Sequence, residues 1–408
     1  MRKNILVINP FGIGDVLFST VLVRQLRKNN PNSYIAYICN LKVKDILATN
    51  PDINEVFVFE RDEYRSEWKK SKIRGIKKFL GFWREVKKKK FDVVFDLSLG
   101  KEYAFLCWWV GIKERKGFNY KKRGRFLTHK IEFDGFNDKP VAEYYLDLFY
   151  LNKIASLTPF ARNDELICHC EEPQRGDEAI STVLVTTEHD KEYIDNFLNQ
   201  SGIKDNDILI GIAPGGGMSF GLKNQDRRRW PVKKFAELAD KVIEKFNARI
   251  ILIWGPGEEK LVQEIAILMK QKPLITPATK IREMAELCKR CKLVICSEGG
   301  PLHIANSHDV KTISIFGPVD EKVYGPYPLG ENNIVVTSDV DCRPCYKKFK
   351  LPECSNRKCL EDISVDGVFK EIASAATFGS FPRNDGGTGS VIARSSDIKD
   401  VGTTKQSK

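Results

Sequence analysis

The sequence predicts an α/β protein built from two doubly wound, Rossmann-like domains that face each other across a cleft. The first observation is the length of 408 residues, which fits two domains of ordinary size. The second is a continuous apolar run at 4–9, typical of a buried parallel strand, followed by apolar residues at helical spacing. The third is that this pattern restarts at 207–214, which indicates a second domain of the same type.

Further elements are predicted in order along both domains. The N-terminal domain continues with strand patterns at 33–39, 55–59 and 91–98. The C-terminal domain has strand patterns at 207–214, 249–255, 292–297 and 311–317, helices that start near Val232 and Glu258, and a helix at 281–291. Ligands of such sheets bind outside the carboxyl ends of the strands, so the turns that follow the strands are the candidate sites.

The predicted domain boundaries follow changes in this periodicity. We predict an N-terminal domain at 1–150, a C-terminal domain at 183–362 and a C-terminal helix at 363–375. Residues 151–182 and 376–408 have little periodicity, so we predict a loop insertion and a disordered tail there.

Both irregular segments contain a similar frame, "KIASLTPFARND" at 153–164 and "EIASAATFGSFPRND" at 371–385. The two resemble translated copies of a dispersed genomic repeat. Because Cys168, His169 and Cys170 fall in the irregular segment that contains the first copy, we do not interpret them as a metal site, although their side chains are suitable ligands.

The formal net charge is +12, and much of it lies at 63–90, where twelve lysines and arginines accompany three acids. Aromatic residues, including Trp68 and Trp83, are interleaved with these charges. The segment is interpreted either as a solvated helix whose aromatics face its own core or as a helix on an anionic membrane surface. Nucleic-acid binding is a third interpretation, and we expect no nucleic-acid partner.

The composition also indicates the cellular compartment of the protein. The longest apolar run, at 105–112, is far shorter than the roughly 18 residues of a membrane span, and no signal peptide precedes the first strand. We therefore expect a cytoplasmic protein, which the membrane-surface interpretation of 63–90 would place peripherally on the inner face of the membrane. Eleven cysteines, an odd number, favour reduced thiols over a disulfide framework.

The stretch "NPFGIGDVLFST" at 9–20 joins the first predicted strand to a helix. Gly12 and Gly14 let a ligand or a partner chain approach the backbone. The stretch lacks the lysine of a P-loop and the third glycine of a dinucleotide fingerprint. Asp15 either complements the helix dipole or accepts a proton from a substrate hydroxyl at the end of the strand.

The stretch "CSEGGPLHIANS" at 296–307 has the same strand–turn–helix character. A bare glycine backbone at a helix start suits a phosphate, and proline suits the first helical position. The candidate phosphate-binding residues are Gly299, Gly300, Pro301 and Leu302. Glu298 would repel phosphate, so we expect it to accept hydrogen bonds from sugar hydroxyls. His303 is interpreted as packing at the helix start or as a phosphate neighbour.

Two further strand-end turns precede this one. The stretch "APGGGMSFGLKNQDRRRWP" at 213–231 combines glycines with several cations, a combination that suits an oligophosphate. A solvated basic loop is the alternative. In "IWGPGEE" at 253–259, Glu258 is placed either to meet a ribose or to complement a helix N-terminus.

Four cysteines fall within 18 residues near the end of the C-terminal domain: Cys342, Cys345, Cys354 and Cys359. The spacing is loosely like that of a zinc site. Because the second pair is not a C-x2-C pair, we favour reduced structural thiols and expect no metal.

Taken together, the motifs resemble those of glycosyltransferase family 9, the ADP-heptose:lipopolysaccharide heptosyltransferases. The matching stretches are "GIGDVLFSTVLVRQLR", "PGGG" with "RRWP", "SEGGPLHIA", "ISIFGPVDEKVYGP" and the cysteine-bearing stretch from Cys342. The resemblance covers roughly residues 1–150 and 183–375. Where the family usually has Asp-Thr/Ser-Gly, this chain has Glu298-Gly299-Gly300.

The resemblance implies a GT-B fold and an inverting, metal-independent transfer of a sugar from a nucleotide diphosphate, with no cofactor required. The family's catalytic aspartate falls on Asp15 and its phosphate-binding lysine on Arg228. ADP-heptose is the implied donor, and a lipopolysaccharide core or related glycolipid is the implied acceptor. A nucleotide-sugar epimerase and a catalytically inactive nucleotide-binding protein remain as alternatives on the same architecture.

Overall fold

The computed structural model of the chain describes residues 3–157, 181–216, 225–377 and 391–394. The chain divides into two compact units, Met1–Thr187 and Glu188–Lys408. Most of both repeat-like segments, including Cys168, His169 and Cys170, lies outside the described residues, as does most of the predicted tail.

The N-terminal unit is built on a six-stranded parallel sheet in the order β3-β2-β1-β4-β5-β6. Its strands are β1 (Asn4–Ile8), β2 (Tyr34–Cys39), β3 (Glu55–Val58), β4 (Val93–Asp96), β5 (Glu114–Tyr120) and β6 (His129–Phe133). Its helices are α1 (Ile13–Asn29), α2 (Lys44–Leu47), α3 (Arg61–Lys70), α4 (Lys72–Lys88), α5 (Glu102–Trp109) and α6 (Val141–Leu157).

Alternation along the strands sends side chains to two buried faces of this sheet. On one face Ile8 and Ile38 pack with Trp83 of α4 and Cys107 of α5. On the other face the Tyr37 hydroxyl lies within hydrogen-bonding distance of Ser19 in α1, and α1 packs against α6. The turns that follow the strands, where the candidate site residues were predicted, therefore lie at the edge of a sheet that is covered on both faces.

The C-terminal unit has a seven-stranded parallel sheet in the order β13-β12-β11-β10-β7-β8-β9. Its strands are β7 (Leu209–Ala213), β8 (Arg249–Leu252), β9 (Leu274–Ile275), β10 (Leu293–Ser297), β11 (Thr312–Ile315), β12 (Asn333–Thr337) and β13 (Val391–Arg394). Its helices are α7 (Glu188–Gln200), α8 (Val232–Phe246), α9 (Glu259–Leu268), α10 (Ile281–Arg290), α11 (Gly300–Asn306), α12 (Glu321–Tyr324), α13 (Lys358–Glu361) and α14 (Val365–Thr377).

The structure differs from the sequence-based expectations at several places. The basic segment forms two helices, α3 and α4, separated at Ser71, whose hydroxyl caps α4 by accepting a hydrogen bond from the backbone N–H of Arg74. The helix at the first boundary continues to Leu157, beyond the predicted end at 150. Within the tail predicted to be disordered, Val391–Arg394 form β13, which pairs with β12.

In the part of the chain that the structure describes, none of the helices has the length and apolar character needed to cross a membrane.

Candidate active site

Asp15 lies in the first turn of α1, directly after the central strand β1. The loop that leads to it is held by two asparagines. The Asn9 side-chain amide donates to the carbonyl oxygen of Asp15 at 3.1 Å, and the Asn40 amide donates to the carbonyl oxygens of Pro10 and Phe11. This scaffold fixes the start of the helix independently of any ligand.

Gly12 of this loop has open space beside its backbone. A Cβ atom built on Gly12 would meet no atom within 4 Å, and Gly12 has an ordinary φ of −83°. The packing of the chain therefore does not require glycine at this position. The open space is consistent with the predicted approach of an acceptor beside Gly12, and the same role of Gly14 stays a prediction.

Sequence reasoning missed a second carboxyl at the same sheet edge, that of Asp96 at the end of β4, the strand beside β1. Burial raises the pKa of Asp96 to about 6, even though the Ser98 backbone N–H donates to its Oδ1 at 3.0 Å. With 3% of its surface exposed, Asp96 organises the turn after β4 and does not face solvent. The signal was present in the strand pattern "FDVVFDLS", which ends in an acid.

In the C-terminal unit, the strand order brings together the residues that were predicted to bind the nucleotide-sugar donor. Strand β7 lies between β10 and β8, so the turn after β7 has the turns after β10 and β8 as neighbours. The arginines follow β7, Glu298 follows β10 and Glu258 precedes α9 after β8. Parallel strands end at one edge, which brings these groups together across wide sequence separations.

Two of the glycine turns pack backbone against backbone. Gly299 has φ = +141°, and a Cβ atom there would lie 1.8 Å from the Gly216 carbonyl oxygen. Gly216 has φ = +72°, and its Cβ would lie 2.5 Å from the carbonyl oxygen of Glu298. The Ser297 hydroxyl ties the same turns together by donating to the Pro214 carbonyl at 2.8 Å. Glycine at 299 is thus required by the neighbouring turn, a reason that differs from the phosphate contact predicted from sequence.

Arg228 and Glu298 form an ion pair through the arginine Nε and the Glu298 Oε1. The Glu298 carboxylate is almost completely buried, while part of the arginine side chain reaches the surface. Burial acts to lower the pKa of Arg228, but the adjacent Glu298 carboxylate raises it above its ordinary value. Glu298 therefore holds the guanidinium in place, a role that the sequence did not predict.

Arg229 and Glu258 form a second, parallel pair. The Arg229 Nη2 lies 3.2 Å from Glu258 Oε1, and its Nε donates to the Gly215 carbonyl at 2.9 Å. The other oxygen of Glu258 accepts the Gly255 backbone N–H at 3.0 Å. Because Glu258 is buried, it stabilises the two turns here, and its predicted ribose contact stays a prediction.

The short helix α11 contains Pro301, Leu302 and His303 in its first turns. Leu302 is fully buried, and Gly300 and Pro301 are partly exposed. Burial lowers the pKa of His303 to about 4. The imidazole is therefore neutral at physiological pH and brings no positive charge to a phosphate.

We expect the buried histidines to make stability depend on pH. The folded-state pKa values of His303 and His308 are both about 4, below the ordinary value, so the unfolded chain binds more protons between about pH 4 and 6.5. The free energy of unfolding should fall as the pH drops through this window, by up to about 1.4 kcal/mol per pH unit for each histidine.

Urea denaturation of the wild type, His303→Gln and His308→Gln at several pH values measures this slope. Each substitution should reduce it by about the contribution of one proton. A slope that neither substitution changes would show that these histidines are not buried in the neutral form.

The cysteine-bearing stretch borders the arginine turn. The backbone N–H groups of Cys345 and Tyr346 donate to the Pro318 carbonyl at 3.0 Å, and the Tyr346 ring contacts Tyr324. Arg227 reaches the carbonyl of Pro352 at 3.0 Å. Among the described residues, which include Cys342, Cys345, Cys354 and Cys359, no three Cys, His, Asp or Glu side chains are placed to hold a metal ion. The geometry therefore gives the zinc interpretation no support.

Comparison with known proteins agrees with the family that the sequence motifs resemble. The family model described as glycosyltransferase family 9 (heptosyltransferase) matches residues 79–355, more than half of the chain. Lipooligosaccharide heptosyltransferase 2 of Campylobacter jejuni is 29% identical over 187 residues, which are 44% of this chain and 55% of that protein. The chain therefore spans about half the length of this curated relative in the alignment.

Two solved structures share the fold. The glycosyl transferase family 9 protein from Veillonella parvula superimposes with a TM-score of 0.71 at 22% identity, covering 93% of this chain and 99% of that one. The heptosyltransferase WaaC of E. coli, solved with ADP-2-deoxy-2-fluoro heptose, superimposes with a TM-score of 0.60 at 16% identity, covering 91% and 100%. The predicted fold class, GT-B with Rossmann-like domains, is confirmed. On the family match, the chain belongs to glycosyltransferase family 9.

Proposed function

We propose that this protein is an inverting, metal-independent glycosyltransferase that moves a heptose from ADP-heptose onto a lipopolysaccharide core or related glycolipid. The observation that carries the proposal is the group of turns after β7, β8 and β10, where Glu298 fixes Arg228 beside glycine backbone. An oriented guanidinium suits an anionic diphosphate. Family membership supplies the reaction class, and the relatives named for heptosyl transfer support the donor.

The N-terminal unit would bind the acceptor and supply the base. Asp15 would take the proton of the acceptor hydroxyl while that oxygen attacks the anomeric carbon of the donor. The bond between that carbon and the diphosphate oxygen breaks in the same displacement, and its electron pair leaves with the nucleoside diphosphate. Attack from the face opposite the leaving group inverts the anomeric configuration.

The C-terminal unit would stabilise the leaving group. Negative charge grows on the diphosphate as the bond breaks, and fixed donors lower the energy of that charge without reorganising. Arg228 would supply a positive charge, and the backbone N–H groups of Gly300 and Leu302 would add dipoles at the start of α11. Electrostatic stabilisation of this kind would take the role that a divalent cation has in other transferases.

The basic pair of helices α3 and α4 would hold the enzyme at the inner face of the inner membrane, near a lipid-linked acceptor. Trp83 is buried in the core, as the solvated-helix interpretation requires, but Trp68 is about half exposed among the lysines and arginines. The burial of Trp83 fits the solvated-helix interpretation, and the exposure of Trp68 supports the proposed membrane contact. Anionic lipids attract such a basic surface.

The proposal is tested by measuring nucleotide release from ADP-, UDP-, GDP- and CDP-sugars, each with and without a lipid-A-type acceptor. We expect acceptor-dependent release of ADP from ADP-heptose. Release from another donor would retain the reaction class and refute the heptose. Release of free nucleotide without acceptor would favour an epimerase-type reaction, and failure to bind or consume any donor would refute a transferase.

A further inference from the structure

The N-terminal unit contains an apolar cavity that the proposed reaction does not use. It lies between the α3–α4 pair and α5 and has a volume of about 380 Å3. Tyr64, Trp68 and Phe79 line it on one side, and Tyr103, Phe105 and Leu106 line it on the other. This volume is within the range of small-ligand pockets, which extends from about 300 to 1,000 Å3.

The walls of the cavity are anchored to the core. Tyr64 stacks on Phe59 with ring centroids 4.7 Å apart and meets Phe79 edge to face at 6.2 Å. Phe59 in turn contacts Trp83 and Tyr103, which belong to the buried cluster under the sheet. Because these ring contacts tie the cavity wall to the buried core, the core holds the lining side chains in place.

The mouth of the cavity is positively charged. Arg61 and Arg65 also line it, and both are exposed; Glu102 is the single acid among the lining residues. The rest of α3 and α4 adds an excess of lysines and arginines, most of it from α4, because α3 also carries acids. One of these acids, Asp62, lies 3.6 Å from the Arg65 guanidinium in an exposed ion pair. An apolar interior with a cationic rim is complementary to an anionic amphiphile, whose chain enters while its headgroup stays in water.

Two of the lining aromatic side chains, Trp68 and Phe105, are exposed, and Trp108 of the same helix as Phe105 contacts the Phe105 ring with centroids 5.8 Å apart; Trp109 follows it in sequence. Trp68 is 49% exposed, Phe105 40%, Trp108 52% and Trp109 47%. Tryptophan is enriched where membrane and water meet, because its ring is apolar and its N–H is polar. A cluster of such residues beside a basic surface therefore indicates that the mouth faces a lipid surface.

One lining residue has an unsatisfied polar group. Tyr103 is 4% exposed, and within the described residues its hydroxyl has no hydrogen-bond partner. Burial raises the pKa of Tyr103, so the hydroxyl keeps its proton and can donate it to a hydrogen bond. The hydroxyl oxygen itself is buried away from the cavity, so Tyr103 presents its ring to the cavity and this wall is apolar.

We propose that this cavity binds one acyl chain of an anionic membrane phospholipid, with the headgroup against Arg61 and Arg65. A phospholipid is favoured over the acyl chain of the acceptor because a mouth placed at a bilayer surface meets phospholipid at far higher concentration. This proposal depends on the proposed function in one respect only, which is that the proposed function places the protein at a membrane.

Tryptophan quenching tests the proposal with the full-length chain. In a Trp108→Phe/Trp109→Phe background, the tryptophans close to the cavity are Trp68, which lines it, and Trp83, which lies behind Phe79. The chain is mixed with phosphatidylcholine vesicles that contain phosphatidylglycerol brominated on its acyl chains. We expect strong quenching by brominated phosphatidylglycerol, and much weaker quenching when brominated phosphatidylcholine replaces it in otherwise unlabelled vesicles.

Two variants separate chain binding from surface contact. Leu106→Phe fills the cavity and should reduce quenching at least threefold while vesicle co-sedimentation stays within twofold; Leu106→Ala is the matched control and should quench as the background does. Arg61→Glu/Arg65→Glu changes only exposed positions and should reduce quenching without a change in fold. Quenching that neither variant changes would overturn the proposal.

Quenching seen only with a brominated lipid-A-type acceptor would also overturn it, in favour of the acceptor chain. The measurement needs no donor and no turnover. A protein that is quenched but releases no nucleotide would refute the transferase and keep the lipid site, and the reverse result would do the opposite.

Discussion

Asp15→Asn should lower kcat for sugar transfer by about 10²–10⁴-fold, the usual contribution of a positioned general base. The change keeps the size of the side chain and its place in the first turn of α1, so the donor KM should change by no more than a few-fold. The measurement is the steady-state rate of nucleotide release with saturating acceptor.

Asp45→Asn is the matched control for this effect. Asp45 is also an acid in the first turn of a helix, α2, so its substitution removes the same helix-dipole interaction at a position outside the proposed chemistry. We expect Asp45→Asn to keep the wild-type kcat. Equal, small effects of both substitutions would show that Asp15 serves the helix and is not the base.

Gly299→Ala should severely destabilise the C-terminal unit. The new Cβ would lie 1.8 Å from the Gly216 carbonyl oxygen, and φ = +141° is strained for any residue with a side chain. Because the clash is with backbone, no side-chain rotation relieves it. We expect the free energy of unfolding to fall by about 3 kcal/mol or more, and ADP binding to be lost with the turn.

Urea denaturation and calorimetric titration with ADP measure the two effects. Gly216→Ala should act in the same direction, because its Cβ would approach the carbonyl oxygen of Glu298. Gly81→Ala in α4, where a Cβ meets nothing, should be neutral or slightly stabilising. A Gly299→Ala protein with wild-type stability and ADP affinity would contradict the close packing of the two turns.

Much of the sheet framework could be predicted because buried parallel strands are continuous apolar runs. The runs at 4–9 and 292–297 correspond to β1 and β10 within one or two residues. Strand β5 escaped detection because its sequence, "ERKGFNY", begins with three charged residues. Lys116, buried in that strand, is paired with Glu114 at 3.2 Å, a compensation that periodicity does not reveal.

The break between α3 and α4 was also hidden, since helical composition continues through it. Ser71 is a good N-cap residue, but serine also occurs within helices. The packing of α4 against the core and the exposure of α3 then decide which aromatics are buried, which is a property of tertiary structure.

The sequence predicted which turns carry the candidate site residues, but it did not predict the contacts that these residues make with one another. Sequence reasoning identified Arg228, Glu298 and Glu258 as separate candidates. Seventy residues separate Arg228 from Glu298, and only the strand order, with β7 beside β10, brings them together. The same packing explains why residue 299 must be glycine. A side chain there would clash with the backbone of Gly216, so the requirement does not come from a ligand.

The central claim is acceptor-dependent transfer from a nucleotide sugar by a metal-independent enzyme. The most direct test is the rate of ADP release from ADP-heptose by the full-length protein in the presence of EDTA, with and without a lipid-A-type acceptor. We predict that the acceptor raises the rate by orders of magnitude and that EDTA leaves this rate unchanged. A rate that does not depend on the acceptor, or one that EDTA abolishes and added divalent cation restores, would contradict the account.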